Sequence, residues 1–116
     1  MSDTVSKKSE IKLEVTLDEN HMPVGMEWSA SDNNMQGDCK AFLLNLWDAK
    51  EMNTMAMHLW IKDMPVNEMK MLFHQTLLTM SDTFERATGE TAICEDLRDY
   101  CEHFAHKMGI LGPVQN

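Results

Sequence analysis

The chain is short of positive charge. Ten Lys and Arg stand against nineteen Asp and Glu in 116 residues, a formal net charge of −9. Phosphate binding needs clustered Lys and Arg, so nucleic acid is a poor match as a partner. Such a surface would also repel anionic lipid headgroups. From Asp82 to Glu102 seven acids face only Arg86 and Arg98, which reads as a solvated acidic face. Long hydrophobic runs are missing as well. None approaches the roughly 18–20 residues that span a bilayer, and Met1-Ser2-Asp3-Thr4 lacks the apolar stretch of a secretory signal. A soluble, cytoplasmic protein without direct membrane insertion is the expectation. Cysteine is scarce: Cys39, Cys94 and Cys101 form no CxxC pair. Cys94 and Cys101 lie two helical turns apart, about 10.5 Å, too far for a disulfide. Reduced, core-packed thiols suit a reducing compartment.

The length fits one domain, expected over residues 9–109, with a flexible start at 1–8 and a tail at 110–116. Ile11, Leu13, Val15 and Leu17 alternate with polar residues, as do Met22, Val24, Met26 and Trp28. Two such runs around Asp18-Glu19-Asn20-His21 predict a β-hairpin. Residues 29–38 read as a loop, ending on Asp38 as a helix cap. Phe42, Leu43, Leu46 and Trp47, at i, i+1, i+4 and i+5, then predict a helix to about Ala49. Met52 to Ile61 reads as a third strand, apolar on both sides and therefore central.

Asp63-Met64-Pro65 predicts a capped helix start, running to Thr88 and stopping at Gly89. Val66, Met69, Leu72, Phe73, Leu77, Met80 and Phe84 form its core stripe. Met71 and Leu78 fall on the other side, a candidate interaction surface with another helix or a second subunit. A last helix begins at Glu90 or Thr91 and ends near Met108, with Gly109 as its cap. The fold expected is α+β, in the order ββαβαα. Its three-stranded antiparallel sheet has order 2-1-3, with helices on one face.

No constellation assembles a catalytic or metal site. His103 and His106 beside Cys101 come nearest to a zinc signature. At about 100° per residue, however, both imidazoles point away from the stripe containing Cys101. They lie among Asp96, Asp99 and Glu102 and read as exposed. Asp32-Asn33-Asn34-Met35-Gln36-Gly37 resembles the start of a calcium loop, but Leu43 occupies the position of the essential Glu. His74 paired with Cys39 or Cys94 would be a nucleophile and base, yet nothing in the sequence brings them together. GxSxG, Walker and dinucleotide-binding fingerprints are absent. No cofactor is called for. Twelve methionines are unusual; most fall on predicted core faces, where Met is an adaptable filler.

The string Lys62-Asp63-Met64-Pro65-Val66-Asn67-Glu68-Met69-Lys70, followed by Phe73-His74-Gln75-Thr76-Leu77, resembles the gliding motility-associated GldC family. So do the stretch from Met80 to Gly89, the opening Ser9-Glu10-Ile11, the turn Leu17-Asp18-Glu19-Asn20, and the segment from Ala41 to Asp48. The resemblance covers about residues 8–108. It implies a small soluble cytoplasmic protein of Bacteroidetes, linked to gliding over surfaces, with no catalytic residues to transfer. The leading expectation is a non-enzymatic accessory protein that binds other proteins of the gliding or associated secretion machinery. The alternative is a small-ligand or metal-binding domain with a pocket between sheet and helices, drawing on His58, His74, Cys39 and Cys94. Homodimerisation through Met71 and Leu78 is a separate expectation.

Overall fold

The computed structural model describes residues 7–110. The expected flexible start and C-terminal tail fall mostly outside that range. Seven elements follow in order: β1 (Ile11–Leu17), β2 (Pro23–Ala30), β3 (Met35–Cys39), β4 (Ala41–Trp47), β5 (Thr54–Trp60), α1 (Val66–Thr88) and α2 (Thr91–Met108). The fold is α+β, with five strands in two antiparallel sheets and two helices. The chain divides between Met64 and Pro65 into a strand unit and a helical unit.

In the strand unit the expected hairpin is present. β1 pairs with β2 from Ile11 opposite Ala30 to Leu17 opposite Pro23. Asp18 makes the turn: its carboxylate accepts from the amides of Asn20 and Met22, at 2.8 and 3.0 Å. His21 takes the left-handed backbone, with φ of 62°. The expected loop before Asp38 instead contains β3, which pairs with β2. The sheet order is therefore β1-β2-β3, and the expected 2-1-3 arrangement, which set the strand at Met52–Ile61 beside β1, is not formed. Met26, opposite both Val15 and Cys39, is buried at the centre of the apolar side.

The expected helix from Asp38 to Ala49 is also a strand. In β4 the same apolar run alternates, with Phe42, Leu44 and Leu46 on one side opposite Leu59, Met57 and Met55 of β5. A short apolar run satisfies both periods, and here cross-strand pairing decides for the strand. Asp48 repeats the device of Asp18. Its carboxylate accepts from the amides of Lys50 and Glu51, and Met52 takes φ of 55°. The strand expected at Met52–Ile61 is confirmed as β5, but it pairs only with β4 and is not central. Its apolar character on both sides does not reflect a middle position.

Lys40 alone separates β3 from β4. Two backbone bonds join the sheets beside it, from Ile61 N–H to the Lys40 carbonyl and from Lys62 N–H to the Pro23 carbonyl, each 2.9 Å. The Lys62 ammonium also reaches Asp18 at 3.1 Å, so the exit from β5 is fastened to both ends of the first turn's neighbourhood.

In the helical unit α1 and α2 run antiparallel across a two-residue link. α1 starts one residue after Pro65, whose carbonyl accepts from Glu68 and Met69 N–H. Pro65 itself holds the flanking position and no side chain caps the end, so Asp63 lies too early for the capping role expected of it. Both C-terminal expectations hold. Gly89 and Gly109 take φ of 76° and 71°, a left-handed conformation that costs other residues a clash at Cβ. Ser81, Cys94 and Cys101 are the fully buried side chains of this unit among the described residues. All are small.

Candidate interaction surfaces

The residues weighed for chemistry do not converge within either unit. Cys101 is buried, while His103 and His106 are exposed. His103 sits against the Tyr100 ring, with centroids 5.7 Å apart. Among the described residues no group of three or more His, Cys, Asp or Glu is placed to hold a metal. The Asp32 segment is the turn between β2 and β3. Its carboxylate accepts from the Ser9 hydroxyl and pairs with Lys7 at 3.6 Å. That engagement is a strand-end clasp.

Neither Cys39 nor Cys94 is primed as a nucleophile. Burial, with the Asp38 charge adding to it, pushes the Cys39 thiol up; burial, with Glu85 adding, does the same at Cys94. A reactive cysteine needs the opposite shift, toward thiolate. His74 stacks on Phe104, with centroids 6.4 Å apart and the planes 11° from parallel. His58 lies exposed on the β4–β5 hairpin, with Nε2 at 3.2 Å from Asn45 Oδ1.

Met71 and Leu78 stand on α1 two turns apart. Leu78 falls between His74 and Ser81 along the helix and is half-buried. Met71 is 43% exposed. On the same flank, the Arg98 guanidinium of α2 bridges Asp82, at 2.9 Å, and Glu85 of α1. The Arg98 hydrogen bond, with a further one involving Thr91, holds the Glu85 carboxyl below the usual range.

One cluster escaped the sequence reading. Glu14 stands opposite Glu27, and Glu27 opposite Asp38, in a carboxylate row across β1, β2 and β3. Glu14, Glu27, Gln36 and Asp38 line a shallow open depression together with Trp28. Like charges directly opposite one another oppose pairing, so the sheet is held by its other, apolar side. The alternation of Glu14 and Glu27 in the predicted hairpin was the available signal. Asp38 could not join them while it was assigned to a helix cap.

None of the described helices is long and apolar enough to cross a membrane. Comparison with curated proteins finds no match, and comparison with solved structures finds none either. A family model described as gliding motility-associated protein GldC-like matches residues 23–110. That span runs from the first residue of β2 past the end of α2 and takes in both units, so the chain belongs to the GldC-like family of gliding motility-associated proteins.

Proposed function

We propose that the protein is a non-enzymatic, cytoplasmic accessory component of bacterial gliding, acting by binding another protein of the gliding or associated secretion machinery. Membership of the GldC-like family carries this reading. The raised thiols and dispersed histidines offer no assembled chemistry that competes with it. Met71, exposed beside Leu78, is the contact position this reading assigns on α1. The acidic surface, at a net charge of −9, favours a basic protein partner over nucleic acid or anionic lipid.

The test is affinity capture of the tagged full chain from a gliding member of the Bacteroidetes, with Met71→Glu as comparison. Recovery of a motility or envelope component that weakens with Met71→Glu is expected. Recovery of none, with the bait folded and abundant, overturns the proposal.

A further inference from the structure

The helical unit leaves one broad apolar side uncovered by its own two helices. On α1, Phe73, Leu77, Met80 and Phe84 recur at i, i+4, i+7 and i+11; on α2, Ile93, Leu97, Tyr100 and Phe104 repeat that spacing. Alternating steps of four and three form the seam by which helices dock on helices. Met80 and Tyr100 are each 55% exposed, Ile93 48% and Phe84 43%. The bridge from Arg98 to Asp82 and Glu85 marks the opposite flank. At about 100° per residue, the stripe on α1 lies to one side of Ser81 and those acids to the other. On α2 the stripe and Arg98 divide in the same way about Cys101. Because the helices are antiparallel, the two stripes share one side.

The surface is large for a helical pair to leave open. Six of these eight side chains are 39–55% exposed, while Leu77 and Phe104 are half-buried; with about 150–250 Å² for an aromatic side chain and less for an aliphatic one, the stripes present on the order of 500–600 Å² per chain. The largest apolar patch of a typical monomer is about 300–600 Å². Pairing two copies would cover about twice the single-chain area, within reach of the roughly 1,200–2,000 Å² of stable interfaces. Inside the unit, only Ser81, Cys94 and Cys101 are fully buried among the described residues, which is little to hold two helices together.

We propose that this side is a self-association surface on which the helical hairpin of a second copy of this chain docks about a two-fold axis, forming a four-helix layer. Charge does not bar a second copy at this side. Two chains of net charge −9 repel wherever carboxylates meet, and no carboxylate interrupts either stripe. A two-fold contact also needs a surface that complements itself, which this uncharged side provides. Self-association here requires no gliding partner, so a failed capture experiment and a monomeric chain are distinct results.

Sedimentation velocity and light scattering of the full chain from about 1 to 200 μM test the proposal. The expected species has twice the 13.3 kDa chain mass. Met80→Glu and Tyr100→Glu should each weaken association at least tenfold with helical circular dichroism retained, while Met71→Glu, on the other flank, leaves it intact. Mixing Tyr100→Glu with Tyr100→Lys chains should restore the dimer. A measurement on the unaltered chain guards against a variant that fails to fold. Peroxide oxidation of Met80 should slow several-fold as concentration rises, while that of Met71 does not. A chain of single mass at 200 μM overturns the proposal. So does a dimer that Met71→Glu dissolves and Met80→Glu spares, or Met80 oxidation independent of concentration.

Discussion

The indole of Trp28 lies across Gly37 on the neighbouring strand, so closely that a Cβ at Gly37 would stand 3.0 Å from the indole Nε1. Trp28 is opposite both Leu13 and Gly37 in the sheet register. The missing side chain on β3 is therefore what lets the largest side chain of β2 lie flat.

Gly37→Ala is expected to destabilise the chain by about 1–2 kcal/mol, the usual scale for inserting a methyl into an occupied space. Gly25→Ala is the control. Its added Cβ would meet Thr16 Cβ at an ordinary 3.8 Å, and the reduced freedom of the unfolded chain should leave stability equal or higher. Urea unfolding followed by tryptophan fluorescence separates the two.

Stability should fall on the acid side for a definable reason. Hydrogen bonds from the Met22 amide and then the Lys62 ammonium hold the Asp18 carboxyl below its ordinary range, and Arg98 does the same for Glu85. A carboxyl lowered in the folded state stabilises above its unfolded value and loses that contribution as pH falls through the folded one. The decline should therefore begin near pH 4, around the ordinary values of about 3.9 for Asp and 4.3 for Glu, and continue below. Asp18→Asn and Glu85→Gln should each flatten this limb in melting temperatures measured from pH 2 to 7.

Arg98→Met should lower the melting temperature more than Arg86→Met. Arg98 spans two helices, whereas Arg86 bonds Thr83 on its own helix, at 3.3 Å. The difference between the variants should narrow in 1 M salt, because exposed ion pairs are screened. An unchanged difference would assign the effect to packing of the arginine stem.

Thiol labelling of the folded chain should proceed in order of exposure. Cys39 is half-buried and should react first, slowly at neutral pH because its thiol is pushed up. Cys94 and Cys101 are buried and should react only as the helical unit opens. Mass spectrometry of timed quenches gives the order, and early labelling of Cys101 would contradict the packing described.

Ser81 sits where α1 meets α2, and its hydroxyl bonds the Leu77 carbonyl at 2.9 Å. Ser81→Ala should be nearly neutral, since that carbonyl remains within the helix. Ser81→Leu should cost about 1–3 kcal/mol by forcing the helices apart. Thermal unfolding monitored by circular dichroism distinguishes them.

Legibility in the sequence followed the strength of local signals. Alternation from Ile11 to Trp28 specified the first hairpin, and Gly89 and Gly109 marked both helix ends. β3 was hidden because Gly37 reads as a chain breaker, although it is required by Trp28 on another strand. β4 was hidden because Phe42, Leu43, Leu46 and Trp47 fit a helical face as well as a paired ribbon. Missing those two strands also hid the Glu14, Glu27 and Asp38 row, which exists only through pairing. The family resemblance, by contrast, needed no fold: its central block runs from the end of the strand unit at Lys62 into α1.

Lys40 imposes a constraint on how relatives of this chain can vary. It is the whole connection between β3 and β4, and strand residues alternate sides. One residue added there would exchange the two sides of β4 relative to β3 and displace the Ile61 and Lys62 amides from their carbonyls. The turns at Asp18 and Asp48 close on themselves and carry no such phase. Insertions and deletions among family members should therefore gather at those two turns and leave the position of Lys40 unaltered in length.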